Sequence, residues 1–214
     1  GMDDQFIKSV VFDWDKVDDD SYVKKIEGFR GIDKLKFNKS ITFFVGENGS
    51  GKSTLLEALA VAHGFNPEGG TKNYDFSTYD NHSELCDAIK IQKSHRKERW
   101  GYFLRAESFY NVATQEEEYA DAEHPSEKYH ERSHGESFLA LAQKHLQPNS
   151  LYFFDEPEAA LSPQRQLTLL MLIYRCAQAG SQFFIVTHSP ILLGIPDADI
   201  YCFDCGSIHL CEYE

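Results

Sequence analysis

The stretch Ile41-Thr-Phe-Phe-Val-Gly-Glu-Asn-Gly-Ser-Gly-Lys-Ser53 decides the fold of this chain. Its first five residues form a short apolar run that predicts a buried strand, and Gly46–Ser53 then fits the Gly-x4-Gly-Lys-Ser pattern of a phosphate-binding loop. Apolar side chains follow near helical spacing as far as His63, and Gly64 predicts the end of that helix. The sequence therefore predicts a strand–loop–helix unit that holds the phosphates of a nucleotide.

The residue types in this loop match the chemistry of phosphate binding. Glycines let backbone N–H groups turn towards the phosphates, and the helix N-terminus adds a partial positive charge. Lys52 is expected to reach the β- and γ-phosphates, the Ser53 hydroxyl to bind Mg²⁺, and Thr54 to contact the α-phosphate. We predict that ATP is bound by Gly46, Asn48, Gly49, Ser50, Gly51, Lys52, Ser53 and Thr54.

Two more apolar runs end in groups suited to phosphoryl chemistry. Asp155 closes the run that begins at Leu151, so its carboxylate is expected at the carboxyl edge of a sheet, where it would hold Mg²⁺ through water. Glu156 would polarise the attacking water. His188 follows the run ending at Val186 and is expected to sense the γ-phosphate. We predict that Lys52, Glu156 and His188 are catalytic.

Strand and helix signals alternate along the chain, which predicts an α/β fold with a mainly parallel central sheet flanked by helices. The runs Val10–Phe12, Tyr22–Ile26 and Leu35–Phe37 predict an N-terminal antiparallel β region. Residues 65–100 are polar and lack periodicity, so we interpret them as a loop-rich insert, and residues 107–147 as a small helical lobe. A length of 214 residues favours a single domain over residues 1–214.

Short sequence patterns also predict the elements in the second half of the chain. Gly101–Arg105 predicts another strand, while Ser162 and Pro163 supply an N-cap and a first-turn proline for a long helix ending near Gly180. Residues 201–211 predict a terminal hairpin.

The overall charge of the chain limits the kinds of molecule that it is expected to bind. The formal net charge is -13 and the pI is near 5.1, which argues against nucleic-acid binding by simple charge attraction. A local basic run nevertheless contains Lys90, Lys93, His95, Arg96, Lys97 and Arg99. No apolar run approaches the roughly 20 residues that span a bilayer, and the acidic N-terminus has no signal-peptide core. These features predict a cytoplasmic protein without direct membrane insertion.

The chain contains five cysteines, an odd number that favours a reducing compartment over a disulfide framework. Cys202-x-x-Cys205, with Cys211 nearby, resembles half of a metal site. We interpret these residues as structural or incidental thiols, because zinc sites of this kind need four ligands.

Arg132-Ser-His-Gly-Glu136, roughly a helix length before Asp155, completes a set of motifs that resembles the ATP-binding-cassette (ABC) ATPases. In that family the signature segment covers a γ-phosphate bound by the other subunit. The resemblance implies that Ser133, Gly135 and Glu136 contact nucleotide across an ATP-sandwich homodimer. It also implies a D-loop at Ala159–Ser162, with Ser162 where Asp is usual.

The same resemblance implies a Q-loop after the strand that ends near Arg105. Glu107 is the candidate metal contact there, although Arg105 or Ser108 would serve instead. An aromatic residue that stacks on adenine is also implied, and the sequence leaves Tyr22 and Phe29 as the alternatives.

More narrowly, the chain resembles small stand-alone bacterial "predicted ATPases". The matching segments include Arg105-Ala-Glu-Ser108, Ser133-His-Gly-Glu-Ser-Phe138 and Asp155-Glu-Pro-Glu-Ala-Ala-Leu-Ser-Pro163, while Phe29–Phe37 is similar to the opening of SMC and RecF ATPases. This predicts a MgATP-hydrolysing homodimeric switch. The alternatives are an ABC-transporter subunit, whose membrane partner would dock near residues 107–111, and a DNA repair or defence ATPase that uses the basic run.

Overall fold

The structure is a computed structural model that describes residues 5–65, 70–71, 84–106, 134–204 and 206–211. Within these residues the strands are β1 (Ile7–Phe12), β2 (Lys34–Lys36), β3 (Ile41–Val45), β4 (Gly70–Thr71), β5 (Ile89–Lys93), β6 (Gly101–Arg105), β7 (Leu151–Asp155), β8 (Gln182–Val186), β9 (Ala198–Cys202) and β10 (His209–Leu210). The α-helices are α1 (Lys52–His63), α2 (Leu85–Ala88), α3 (His134–His145) and α4 (Pro163–Gln178). Short 3-10 helices cover Trp14–Lys16, Tyr22–Lys25, Glu27–Phe29, Pro157–Ala160 and Leu192–Gly194.

The central sheet has the strand order β10-β9-β3-β8-β7-β6-β4. Its five inner strands are parallel, while β10 and β4 pair antiparallel at the two edges. The prediction of an α/β fold with a mainly parallel sheet is therefore confirmed. Strand β3, which leads into the phosphate-binding loop, pairs with β8 on one side and β9 on the other. The carboxyl ends of β3, β7 and β8 consequently meet at one edge of the sheet.

Both faces of the sheet are covered, which explains why its strands are apolar at consecutive positions. Phe153 and Phe184 point to the face that packs on α1. Their neighbours Phe154 and Phe183 belong to the opposite core, with side chains of α3 and α4. Because side chains alternate along a strand, each buried run supplies both cores.

The N-terminal sheet is antiparallel, with the order β2-β1-β5. A buried side chain joins it to the central sheet: the Gln182 side chain accepts from the backbone N–H groups of Phe6 and Ile7 and donates to the Ile7 carbonyl. The prediction that residues 65–100 form a loop-rich insert is wrong for the second half of that segment. Strand β5 lies in that segment and completes the N-terminal sheet, and its alternating Ile89 and Ile91 pack against the core.

Tyr22–Ile26 was expected to be a strand, and that prediction is wrong. Tyr22–Lys25 forms a 3-10 helix because the Ser21 hydroxyl caps it by accepting from the Val23 N–H at 3.2 Å. Val23 alone of this turn is buried, whereas Tyr22 is exposed. A side-chain cap of this kind competes with strand pairing.

Other predicted boundaries agree with the structure. Helix α1 ends at Gly64, which has a left-handed φ of 105°, and the Ser162 hydroxyl caps α4. β9 and β10 form the predicted hairpin. Helix α3 belongs to the expected helical lobe, of which residues 107–133 lie outside the described part. The single-domain assignment stays a prediction. None of the described helices is long and apolar enough to cross a membrane.

Candidate nucleotide and magnesium site

The loop after β3 curls into a cradle that a side chain at Gly46 would fill. Gly46 has φ +148°, and a Cβ there would lie 2.9 Å from Ser50 Oγ and 3.1 Å from Asp204 Oδ1. Ser50 Oγ is buried and has no hydrogen-bond partner in the described part of the chain. A buried hydroxyl without a partner is costly, and a phosphate oxygen would satisfy it. The cradle therefore fits a phosphate group.

Lys52, the first residue of α1, is buried beneath this cradle. Its Nζ donates to the Gly46 carbonyl and lies 3.0 Å from His188 Nε2. Burial lowers the pKa of Lys52, while the carboxylates of Glu156 and Asp204 oppose the shift. The Gly46 carbonyl and the His188 ring, both uncharged acceptors, thus hold the ammonium close to the loop.

Ser53 and Asp155 meet at the carboxyl edge of the sheet. Ser53 Oγ donates to Asp155 Oδ1 at 3.1 Å, and Arg105 Nε donates to Asp155 Oδ2 at 3.1 Å. Burial raises the pKa of Asp155, and Arg105 and Ser53 counteract it by favouring the carboxylate. Arg105 also pairs with Glu57, one helical turn after Ser53. A hydroxyl and a carboxylate are hard oxygen donors, which suit Mg²⁺.

Glu156 has a backbone conformation that non-glycine residues rarely adopt, with φ 50° and ψ 54°. Its N–H donates to the Val186 carbonyl at 2.8 Å, which fixes the turn beside β8. Its Oε1 lies 3.2 Å from His188 Nε2, and the His188 backbone N–H donates to Glu158 Oε1 at 2.7 Å. Backbone strain of this kind clusters at functional sites. Here it turns the Glu156 carboxylate towards His188.

Two cavities flank the start of α1. One of about 710 Å³ is lined by residues that include Tyr22, Asn48, Gly49 and Asp204. The other, about 480 Å³, is lined by Ser53, Glu57, Arg105, Ala106, Asp155, Glu156 and Ala159. The larger cavity has the room and the mixed polarity that a nucleoside needs. The smaller one contains the groups suited to a metal ion.

The structure separates the two aromatic candidates for adenine stacking. Phe29 is 2% exposed and packs against Phe12, Trp14 and Phe203, so its ring is part of the core. Tyr22 is 55% exposed and lines the larger cavity. Only Tyr22 of the two offers an accessible ring face.

The signature and Q-loop candidates are described only in part. Gly135 lies in the first turn of α3, and Glu136 is exposed and pairs with Arg165 of α4 at 3.1 Å. Ser133 and Glu107 lie outside the described residues. Arg105, one of the alternatives for the Q-loop position, contacts the Asp155 side chain.

Sequence reasoning missed three residues at the site. Glu57 had a local signal, because it lies four residues after Ser53 on the same face of α1. Glu158 and Asp204 had no local signal in the sequence. Asp204 Oδ1 accepts from the Glu47 N–H at 3.0 Å across 157 positions of sequence, a contact that only the pairing of β3 with β9 creates.

The fold and this site define the class of the protein as a P-loop ATPase of the ABC/SMC type. A model of the AAA domain family matches residues 24–170. That is more than half of the chain, which therefore belongs to this family.

Solved structures agree on the fold. The SMC head domain from Thermotoga maritima is similar at 15% identity, with 98% of this chain and 100% of that chain covered and a TM-score of 0.54. An SMC head bound to the C-winged helix domain of ScpA has 16% identity, covers 98% of each chain and has a TM-score of 0.53. At these identities the likeness concerns the fold alone. No curated protein matched the sequence.

Proposed function

We propose that this protein hydrolyses MgATP and works as an ATP-dependent homodimeric switch. The observation that carries the proposal is the convergence of Lys52, Asp155, Glu156 and His188 at one edge of the sheet. These residues come from the ends of three different strand segments, and hydrogen bonds or ion pairs link them to one another or to Ser53. Phosphoryl transfer depends mainly on positioning and charge stabilisation, which such a cluster provides.

Lys52 binds the phosphates of ATP by exchanging partners. In the structure its ammonium donates to the Gly46 carbonyl and faces His188 Nε2. A phosphate is a stronger acceptor for the ammonium than a carbonyl or an imidazole, because both partners are then charged and their Coulomb attraction adds to the hydrogen bond. Burial of the ammonium, which lowers its pKa, makes pairing with the phosphate anion more favourable still.

Glu156 acts as the group that orients and polarises the attacking water. Its carboxylate lies at the smaller cavity and 3.2 Å from His188 Nε2. That nitrogen faces both Lys52 and Glu156: with a lone pair it accepts from Lys52, and with a proton it donates to Glu156. When Lys52 turns to the phosphate, Nε2 no longer accepts from it. The ring can then carry a proton on Nε2, taken from solvent or transferred through solvent from Nδ1, and donate it to Glu156 or to the γ-phosphate, so the imidazole reports the presence of nucleotide.

Ser53 and Asp155 are the residues that would hold Mg²⁺. The ion would supply positive charge that neutralises the phosphate oxygens during transfer. The role proposed for Glu107 in this site rests on sequence. Arg105 holds the Asp155 carboxylate in place and favours its ionised form.

A second copy of the chain is needed to seal the site. The side chains of His188 and Glu156 are 46% and 41% exposed, so bulk water has access to the reacting position. Closing an active site excludes this water and strengthens the electrostatic interactions inside it. We assign this task to the partner's signature segment, Ser133, Gly135 and Glu136, of which Glu136 is exposed at the start of α3.

The test is Glu156→Gln, with the exposed Glu84→Gln as the matched control. In MgATP the Glu156 variant should form a stable dimer by light scattering and hydrolyse ATP about a hundredfold or more slowly than wild type. Adding Ser133→Ala should return that dimer to monomer. If Glu156→Gln turns over ATP at the wild-type rate, the catalytic assignment is wrong. If it binds ATP and stays monomeric, the switch is wrong.

One observation favours a second candidate, a DNA repair or defence ATPase. Lys90 and Lys93 on β5 are exposed, as are Lys97 and Arg99 beyond it, at the edge of the N-terminal sheet. Arg96 of the same run is structural, since it donates to Asn149 and the Gly180 carbonyl and lies over the Phe6 ring. The transporter alternative depends on residues 107–111, outside the described part of the chain.

A further inference from the structure

Three side chains that bind soft metals converge at the β9–β10 hairpin, away from the oxygen donors of the Mg²⁺ site. Cys202 on β9 lies directly opposite His209 on β10 in the antiparallel register. Cys211 follows two residues later, and its N–H donates to the Ile200 carbonyl at 2.7 Å, which extends the pairing. Residues two apart on a strand point to the same face, so the pairing itself gathers the three side chains.

The ligand atoms are close to the spacing of a tetrahedral ion. One ring nitrogen of His209 and the sulfurs of Cys202 and Cys211 all lie within 4.8 Å of one another. With Zn–S bonds of about 2.3 Å, tetrahedral geometry places two sulfurs about 3.8 Å apart. The side chains would therefore close by at most about 1 Å, which rotamer adjustment at a half-exposed hairpin allows.

The His209 ring also has a partner for one of its nitrogens, which leaves the other available to a metal. Its Nδ1 lies 3.2 Å from the Ser207 carbonyl, so Nδ1–H donates there and Nε2 carries the lone pair. Metal-bound imidazoles usually donate their other N–H to a carbonyl or carboxylate. Cys202 and Cys211 are thiols and do not form a disulfide.

We propose that Cys202, His209 and Cys211 bind one Zn²⁺ ion that fixes the β9–β10 hairpin. Two thiolates and an imidazole select zinc over Mg²⁺, because magnesium prefers oxygen ligands. The described residues supply three ligands rather than the four of a closed structural zinc site, so water would take the fourth position, as it does in open zinc sites. The two thiols lose their protons to solvent on binding. Cys205 lies outside the described residues, and the proposal does not depend on it.

The hairpin matters because its connecting segment forms a wall of the larger cavity. Phe203, Asp204 and Gly206 line that cavity, and Asp204 Oδ1 accepts from the Glu47 N–H of the phosphate-binding loop at 3.0 Å. Zinc at the base of the hairpin would restrain this wall before nucleotide arrives. A pre-ordered wall costs less entropy on binding, so zinc should raise the affinity for nucleotide.

The experiment measures metal content and nucleotide affinity separately. Reduced protein dialysed against zinc should retain close to one ion per chain by elemental analysis, and Co²⁺ should give the charge-transfer absorption of thiolate ligation. His209→Ala, an exposed position that leaves the core intact, and Cys202→Ser should lose both signals. Cys86→Ser, a thiol remote from the hairpin on α2, is the matched control and should keep them.

The coupling is then measured with ADP by calorimetry, so that hydrolysis and dimerisation are not involved. Removal of zinc should weaken ADP binding about fivefold in wild type and leave His209→Ala unchanged. Wild type without stoichiometric zinc, or with a Cys202–Cys211 disulfide in its place, overturns the metal site. Stoichiometric zinc with no change in ADP affinity overturns the coupling. Neither result bears on Glu156, so this inference and the proposed function fail independently.

Discussion

Replacing Arg105 by Met should destabilise the protein by leaving the Asp155 carboxylate buried without its guanidinium partner. The Asp155 residue is 7% exposed, and the Arg105 and Asp155 side chains are 19% and 9% exposed, so solvent screens the pair poorly. Removing one partner of a buried ion pair costs about 3–5 kcal/mol. Because this pair lies at a cavity and Ser53 still donates to Asp155, we take the lower value, about 3 kcal/mol.

For a chain of this length that loss corresponds to a fall of about 6–12 °C in Tm. Thermal unfolding followed by circular dichroism measures it, with Arg175→Met as the control because Arg175 is exposed on α4. MgADP should reduce the deficit, since the metal ion brings positive charge to Asp155. If Arg105→Met melts within about 2 °C of Arg175→Met at neutral pH, Arg105 does not compensate the charge of the buried Asp155 carboxylate.

The pH dependence of the stability deficit tests whether the unpaired Asp155 carboxylate causes it. Burial raises the pKa of Asp155 above its ordinary value of 3.8, and loss of Arg105 raises it further. The folded variant then holds a proton that the unfolded chain releases, so its stability falls as pH rises between the unfolded and folded pKa values. The deficit relative to wild type should therefore shrink in acid and be fully developed above the folded pKa. A deficit independent of pH would indicate lost packing instead.

Three further predictions concern binding. Lys52→Ala should weaken ATP binding about tenfold to a hundredfold, because it removes a charge-assisted hydrogen bond to phosphate; calorimetry that shows wild-type affinity would contradict this. Tyr22→Ala should cost about 1–3 kcal/mol of nucleotide affinity through lost stacking, while Tyr22→Phe should retain it, and equal losses in both variants would point away from the ring face. If DNA stimulates ATP hydrolysis, charge removal at Lys90, Lys93 and Lys97 should abolish the stimulation and its salt dependence without changing the basal rate; stimulation that survives would place the DNA contact elsewhere.

The predictable parts of this protein are those with local causes. Gly64 ends α1 because a glycine adopts the left-handed conformation readily, and Ser162 starts α4 because its hydroxyl satisfies an open N–H group. The positions of Asp155 and His188 at or after strand ends, and of Lys52 at the start of α1, followed from apolar runs and turn residues. Their meeting at one edge then follows from parallel pairing, so much of the candidate site could be located from sequence.

The parts that escaped prediction depend on distant pairing. Strand β5 contains alternating isoleucines in a polar, lysine-rich segment, and only its place beside β1 makes it a strand. One local feature also escaped prediction: Tyr22–Lys25 alternates polar and apolar residues, yet it forms a 3-10 helix that the neighbouring Ser21 hydroxyl caps. Asp204 gains its contact with the phosphate-binding loop through the pairing of β9 with β3, which no local pattern encodes.

The position of β3 has a consequence for synthesis on the ribosome. Both neighbours of this strand, β8 and β9, begin more than 140 residues after β3 does, at Gln182 and Ala198. Long-range parallel pairing forms slowly and exposes strand edges until it is complete. The apolar Ile41–Val45 segment therefore remains unpaired on both sides until β8 has been translated. A nascent chain that has not yet emerged as far as β8 has the complete phosphate-binding motif but neither of the strands that flank β3, so nucleotide can bind only after β8 and β9 have been synthesised.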